Sequence, residues 1–127
     1  LGHQLIAKGF ALALPQSNGA ELARAQALVQ AWGPQASVWP RESLADVTRR
    51  MAACAGVVGV DSGLSHIAVA LGLPHVQIFS QDRAWRAGPV GRDYQRIAGG
   101  AQAPDVNQVW DAWQTALAAS HPGRALA

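Results

Sequence analysis

The sequence predicts an α/β fold of the Rossmann type, in which helices cover both faces of a parallel sheet. Short apolar segments alternate along the chain with amphipathic or alanine-rich segments of helical length. One apolar segment, residues 57–60, has no polar interruption, which is typical of a strand buried on both faces of a parallel sheet. These two patterns together predict one doubly wound layer of strands.

The first half of the chain contains signals for three helical and two extended segments. Pro15 and the turn formers after it end a strand, and Gly33 followed by proline ends an alanine-rich helix. Ser43 caps the next helix, and Asp46 three residues later approximates a capping box. In order, we expect the last turns of a helix at 1–8, a strand at 10–14, a helix at 21–32, a strand at 37–39 and a helix after residue 43.

The second half continues the alternation. After the strand at 57–60 we expect a helix at 64–71, a strand at 75–79, a long loop at 80–93, a weak strand at 94–97 and a helix at 105–120. The last helix has an apolar stripe for packing on the sheet: Val106, Val109, Trp110, Trp113 and Leu117. We therefore expect one domain over residues 1–119 and a loose tail over 120–127.

Composition excludes several classes of protein. Half of the 127 residues are apolar and 14% are charged, which excludes disorder. The net charge is only +2, and the basic residues are interspersed with acidic ones without a nucleic-acid motif, so no nucleic-acid partner is expected. No apolar stretch approaches the roughly 18–20 residues of a membrane span. The single Cys54 excludes an internal disulfide and suits a reducing cytoplasm, and we expect it to be a buried apolar residue rather than a nucleophile.

The segment Asp61–His66 is the candidate site. It joins the strand at 57–60 to a helix, and Ser62 and Gly63 supply a cap and free backbone N–H groups, where an anion such as phosphate binds most readily. His66 falls in the first helical turn, close enough to donate to the same anion. Asp61 has an alternative role as a carboxylate that favours the helix dipole. His66 has an alternative role as a core histidine.

Three further loops follow predicted strands, at residues 15–21, 40–43 and 80–93. Ligands of doubly wound sheets bind beyond the carboxyl ends of the strands, so we expect all four polar loops to meet at one rim. Since no Gly-x-Gly-x-x-Gly follows a strand, a redox dinucleotide domain is disfavoured. No cluster of cysteine, histidine and carboxylate residues has the spacing of metal ligands, so neither a metal nor a cofactor is expected.

Residues 60–74, Val-Asp-Ser-Gly-Leu-Ser-His-Ile-Ala-Val-Ala-Leu-Gly-Leu-Pro, resemble the signature of the ADP-heptose:lipopolysaccharide heptosyltransferases, glycosyltransferase family 9. The family usually has Asp-Thr-Gly-Leu-Ser-His here, and the resemblance extends through residues 14–15, 43–44 and 88–91. It implies the carboxyl-terminal, donor-binding half of a GT-B fold. The strand that opens this domain in the family has no counterpart in the chain, so a partner chain or further residues would complete the sheet.

The resemblance implies a role for six residues. Asp61, Ser62, Gly63 and His66 would contact the diphosphate and sugar of ADP-heptose. Glu21 would engage the nucleoside, and Glu42 would lie beside the base. From the sequence alone, Glu21 equally suits a first-turn residue that stabilises its helix, and Glu42 suits a solvated residue before a cap.

Two departures from the family pattern bear on this site. Ser62 replaces the usual threonine but keeps a hydroxyl group. Residues 79–83, Phe-Ser-Gln-Asp-Arg, lack the Gly-Pro-Thr pattern that the family has in this loop.

The resemblance also implies an activity for the parent enzyme. It would be an inverting heptosyltransferase, most like the members that add the first heptose to the Kdo of lipopolysaccharide, at the cytoplasmic face of the bacterial inner membrane. The catalytic carboxylate and the Kdo-lipid A acceptor site would belong to the amino-terminal domain. This chain alone would then bind ADP-heptose without transferring the sugar. The parent enzyme would associate peripherally with the membrane. A non-catalytic Rossmann-like module for nucleotide binding or assembly is the alternative.

Overall fold

A computed structural model of the chain describes residues 1–60, 62–81, 88–89 and 92–120. These residues form five helices and five strands. In chain order they are α1 (Gly2–Ala7), β1 (Leu12–Leu14), α2 (Gly19–Trp32), β2 (Ala36–Val38), α3 (Leu44–Ala52), β3 (Val57–Val60), α4 (Gly63–Ala70), β4 (His75–Phe79), β5 (Gln95–Gly99) and α5 (Val106–Ala119). The chain forms two compact units, Leu1–Val47 and Thr48–Ala127, and the boundary falls within α3.

The first unit is built on a pair of parallel strands. Leu12 of β1 lies opposite Ala36 of β2, and Leu14 lies opposite Val38. The amide of Trp39 donates to the carbonyl of Leu14 at 3.0 Å, which extends the pairing by one bond. The strand predicted at 10–14 is therefore shorter than expected at its start, and the strand predicted at 37–39 begins and ends one residue earlier.

Helix α2 begins two residues before the predicted start. Its N-cap is Asn18, whose side-chain oxygen accepts from the backbone amide of Glu21 at 2.9 Å. The helix ends at Gly33, whose φ of +92° is a conformation that favours glycine. Ala25 is buried, whereas Leu28, three residues later in the helix, is 40% exposed.

The second unit contains a three-stranded parallel sheet in the order β3-β4-β5. Val57 lies opposite His75, and Phe79 lies opposite Gly99. The central strand β4 is buried along nearly its whole length. The prediction that residues 57–60 are buried on both faces was wrong: Val60 is 58% exposed and the other three residues are half-buried. The reason is that β3 pairs only with β4 among the described residues.

Each unit has its own parallel sheet, of two strands in the first unit and three strands in the second. Every strand pair in the described residues is parallel, as predicted. That the chain lacks the strand which opens this domain in the family stays a prediction.

Helices α4 and α5 lie on opposite faces of the three-stranded sheet. A Cβ atom on Gly59 would point at Ser65 of α4, whereas a Cβ atom on Gly56 would point at Trp113 of α5. Side chains an odd number of residues apart in extended chain face opposite sides, so the two helices enclose the sheet. The buried residues of α5 are Val109, Trp113 and Ala116. Val106, predicted on the same stripe, is 55% exposed because it begins the helix, beyond the contact with the sheet.

Candidate functional site

The start of α4 follows directly on the carboxyl end of β3. Strand β3 ends at Val60, and α4 begins at Gly63. Ser62 is the N-cap residue, with an extended backbone (φ −152°, ψ 169°), so the cap position was predicted correctly. Its side chain makes no capping hydrogen bond in the described part of the chain. The amides of the first turn thus have no partner from the hydroxyl that the sequence assigned to them, and this is the arrangement that anion-binding helix starts use.

The other long helices are capped by side chains. Asn18 caps α2, and the hydroxyl of Ser43 accepts from the amide of Asp46 at 3.2 Å in α3. Asp105 caps α5 in a full capping box, in which its carboxylate accepts from the amide of Gln108 at 2.8 Å and its own amide donates to the Gln108 side chain. Among the described residues, the starts of α2, α3 and α5 each have a side chain that accepts from a first-turn amide, whereas Ser62 makes no such bond at the start of α4.

His66 lies in the first turn of α4 and is exposed. Its backbone amide donates to the carbonyl of Ser62 at 3.2 Å, which closes the first turn. The alternative of a core histidine is thereby wrong for His66. An exposed imidazole three residues past the start of this helix has the reach and the chemistry to donate to an anion held there.

The core histidine of this unit is His75, the first residue of β4. It is fully buried, and its Nδ1 donates to the carbonyl of Val57 at 2.9 Å. Burial lowers the pKa of His75, and hydrogen bonds to Val57 and Gln77 offset part of that effect. A fully buried imidazole that donates to a backbone carbonyl has a structural role within the sheet.

A buried polar layer under α4 was missed by the sequence analysis. Gln77 is fully buried on β4 and Gln95 is 5% exposed on β5. The side-chain amide of Gln95 donates to the carbonyl of Val69 at 3.2 Å and to that of Leu73 at 3.4 Å, which ties the end of α4 to the sheet. The available signal was the pair of polar residues two apart in an otherwise apolar strand, at 75 and 77.

Glu21 is committed to the start of its own helix. Its carboxylate accepts from the hydroxyl of Ser17 at 2.9 and 3.3 Å and from the side-chain amide of Asn18 at 3.3 Å. These contacts are those of a first-turn residue that stabilises α2, the alternative left open by the sequence. A carboxylate has about four acceptor positions, so the two contacts leave capacity for ligand hydroxyls.

The predicted site residues fall into two groups. Ser62, Gly63 and His66 come together at the start of α4 in the second unit, whereas Glu21 and Glu42 lie in the first unit. Glu42 is half-buried in the loop between β2 and α3, directly before the Ser43 cap. Asp61 and most of the loop at 80–93 lie outside the described residues. That all four loops meet at one rim stays a prediction.

Other candidate chemistry is sparse. Within the residues described, no group of three or more histidine, cysteine or carboxylate side chains is arranged to hold a metal ion. None of the described helices combines the length and the apolar character needed to cross a bilayer. Cys54 lies two residues past the end of α3 and is half-buried, whereas full burial was expected. Burial raises the pKa of its thiol, which favours the unreactive protonated form over a nucleophile.

Comparison with known families gives a direct match. Residues 1–110 of the chain match the family described as "Glycosyltransferase family 9 (heptosyltransferase)". The chain belongs to glycosyltransferase family 9. The resemblance of residues 60–74 to the signature of this family is thus confirmed, and the match includes all of the first unit and residues 48–110 of the second.

Individual heptosyltransferases are similar over most of the chain. Lipopolysaccharide heptosyltransferase 1 of Pseudomonas aeruginosa is 35% identical over 92 residues, which cover 72% of this chain and 26% of that protein. The enzyme of the same name from Salmonella typhimurium is 34% identical over 85 residues, which cover 67% of this chain and 26% of that protein. The chain therefore spans about a quarter of the length of these curated relatives.

Solved structures agree with the sequence comparison. The E. coli heptosyltransferase WaaC with ADP superposes with a TM-score of 0.68 at 29% identity, over 77% of this chain and 31% of that one. WaaC with ADP-2-deoxy-2-fluoro heptose superposes with a TM-score of 0.64 at 30% identity, over 80% of this chain and 32% of that one. The predicted fold class, a parallel α/β architecture matching part of a GT-B heptosyltransferase, is confirmed.

Proposed function

We propose that residues 1–119 form the donor-binding part of a heptosyltransferase and that the start of α4 holds the diphosphate of ADP-heptose. One observation carries the proposal. Over 77% of its length the chain shares its fold with a heptosyltransferase described with ADP, at 29% sequence identity. The first turn of α4 lies directly after the carboxyl end of β3 and receives no capping hydrogen bond from Ser62, which supplies the physical reason for placing the anion there.

Each residue at this helix start has a distinct role in the proposal. The backbone amides of Gly63 and the residues after it donate to phosphate oxygens, and the Ser62 hydroxyl, which is not used as a cap, donates to the same group. His66 supplies a donor from the exposed side of the first turn. Asp61 interacts with the sugar. Glu21 accepts from the ribose hydroxyls with the capacity its helix contacts leave, and Glu42 lies beside the base.

The reaction follows from the chemistry of a diphosphate leaving group. A base in the amino-terminal part of the parent enzyme removes the proton of the acceptor hydroxyl, whose oxygen then forms a bond to the anomeric carbon of the heptose. The bond between that carbon and the diphosphate oxygen breaks, and ADP leaves with the electron pair. The configuration at the anomeric carbon is inverted. The amides at α4 and the imidazole of His66 stabilise the charge that develops on the departing phosphate.

The names of the relatives point to the acceptor. Both are called lipopolysaccharide heptosyltransferase 1, which favours the inner-core Kdo of lipopolysaccharide as the acceptor of the parent enzyme. Such an acceptor is anchored in a membrane, so the proposal places the parent enzyme at the cytoplasmic face of the bacterial inner membrane as a peripheral protein. Acceptor binding and the catalytic base belong to the other domain, so this chain by itself binds donor without transferring sugar.

The test separates phosphate binding from nucleoside binding. Isothermal titration with ADP and with adenosine is performed on the wild-type protein, on H66A and on H3A, which removes an exposed histidine from α1 as a matched control. We expect H66A to weaken ADP binding by about tenfold, the value of one hydrogen bond to a charged group, and to leave adenosine binding and the unfolding midpoint unchanged. Equal ADP affinities for wild type and H66A would contradict the role of His66. Failure of the wild type to bind ADP at millimolar concentration would favour an assembly module instead.

A further inference from the structure

Ser65 is the third residue of α4, and it lies against the strand that precedes the helix. It is 1% exposed, and its hydroxyl donates to the backbone carbonyl of Val60, the last residue of β3. A serine side chain at this place in a helix ordinarily has water or its own turn as a partner. Here it instead joins the first turn of the helix back to the end of the strand.

Strand β3 leaves room for the Ser65 side chain because it has glycine at position 59. A Cβ atom on Gly59 would lie 2.9 Å from the Ser65 hydroxyl oxygen, closer than real Cβ atoms come to any atom. Gly59 is paired with Gln77 of the central strand, so its backbone is fixed from the other side. The first turn of α4 is thus held to β3 at two adjacent points, by a hydrogen bond to residue 60 and by close packing on residue 59.

This attachment bears on the proposed diphosphate site because only residues 61 and 62 separate the strand from the helix. The contact between Ser65 and Val60 closes a short ring that contains the whole connection and the start of the helix. The hydrogen bond from Ser65 to Val60 therefore determines the direction of the first-turn amides and the position of His66 on the same turn. A preorganised set of donors is worth more to a charged ligand than a mobile one, because no ordering cost is added on binding.

We infer that Ser65 is a positioning residue for the donor diphosphate: it touches no ligand but fixes the backbone amides at the start of α4 through its hydrogen bond to Val60. The inference rests on the proposed function. It assigns a role to the second serine of the Asp-Ser-Gly-Leu-Ser-His segment, which the sequence analysis left without one.

The chain offers a matched control in Ser120. That residue is also buried, at 6% exposed, and its hydroxyl donates to the backbone carbonyl of Leu117 at 2.6 Å, at the end of α5. S65A and S120A each remove one hydroxyl that bonds a carbonyl within the same unit, so both are expected to lower the unfolding midpoint by similar amounts. Only S65A alters the connection between β3 and α4.

The experiment measures the dissociation constants of ADP and adenosine for wild type, S65A and S120A. We expect S65A to weaken ADP binding by about tenfold and adenosine binding by less than about twofold, whereas S120A changes neither. G59A tests the same contact without altering residue 65: its methyl group displaces the Ser65 hydroxyl and should reproduce the loss of ADP affinity. The double variant G59A/S65A should lose no more ADP affinity than S65A, because removal of the hydroxyl makes room for the methyl group.

The outcomes are distinguishable. If the wild type fails to bind ADP, the proposed function is wrong. If the wild type binds ADP and S65A binds it equally well, or if S65A loses ADP and adenosine affinity in parallel, the positioning role of Ser65 is wrong while the proposed function stands. If S65A does not fold, G59A gives the same comparison.

Discussion

The substitution G56A tests how tightly α5 is packed on the three-stranded sheet. A Cβ atom on Gly56 would lie 2.5 and 2.6 Å from two carbons of the Trp113 ring and 2.7 Å from the carbonyl oxygen of Pro74. Trp113 is only 4% exposed, so its ring has little room to move away. The Pro74 carbonyl accepts from the amide of Val57 at 2.9 Å, so a shift of Pro74 would break a bond between the starts of β3 and β4.

The expected cost combines these effects. Overpacking by one methyl group costs about 1–3 kcal/mol, and loss of one backbone hydrogen bond costs about 1 kcal/mol. The reduced entropy of the unfolded chain offsets about 0.4–1 kcal/mol of this. We therefore expect G56A to lower the free energy of unfolding by roughly 1–3.6 kcal/mol and the midpoint of thermal unfolding by roughly 4–14 °C.

Equilibrium unfolding in urea provides the measurement, and G100A provides the control, because a Cβ atom on Gly100 would meet nothing within 4 Å. We expect G100A to be neutral or slightly stabilising. The cost of G56A should also be smaller in a W113L background, which lacks the two ring carbons that the methyl group meets. A G56A variant as stable as G100A would refute the packing argument.

Two other predictions concern single residues. Burial lowers the pKa of His75 below its ordinary value of 6.5, so on acidification the unfolded chain takes up this proton before the folded chain does. Stability that is present above pH 6.5 is therefore lost as the pH falls towards the lowered pKa, by at most about 1.4 kcal/mol per pH unit. Urea unfolding between pH 5 and 7 should show a flatter pH dependence of stability for H75Q than for wild type or H3Q, and superimposable profiles would contradict this. D105A removes the capping acceptor of α5 and should lower the free energy of unfolding in urea by about 1 kcal/mol. D105N keeps a side-chain oxygen that can accept the same hydrogen bond, so it should retain most of the stability. Equal losses in the two variants would show that the capping hydrogen bond is not the cause.

Local signals were sufficient for most of the secondary structure. The bounds of β3 and β4 match the predicted strands at 57–60 and 75–79, because apolar runs are set off there by glycine and proline. The predicted start of α2 was two residues late, since Gly19 was assigned to the turn although Asn18 caps the helix. The burial of β3 could not be predicted from its composition. It depends on which strands pair with it.

In the candidate site, too, the local features could be predicted from the sequence, whereas the features that depend on the folded chain could not. The helix start at Ser62 and Gly63 is a local feature, and the sequence predicted it. What the Ser62 hydroxyl contacts is not a local feature: Ser62 is the N-cap residue as predicted, but its side chain makes no capping hydrogen bond in the described part of the chain. The buried Gln95 was missed because its partners, the carbonyls of Val69 and Leu73 around the end of α4, are close only in the folded chain. Any meeting of Glu21 and Glu42 with the start of α4 likewise depends on tertiary structure rather than on spacing.

The central claim is that the start of α4 binds the diphosphate, and backbone amide shifts in an NMR titration test it most directly. Addition of ADP should shift the amides of residues 62–66, whereas adenosine should leave them nearly unchanged, because the helix start interacts with phosphate oxygens and not with the nucleoside. The capped starts of α2 and α5, after Asn18 and Asp105, serve as internal references for non-specific anion binding. Shifts confined to those references, or equal shifts at 62–66 with ADP and adenosine, would contradict the account.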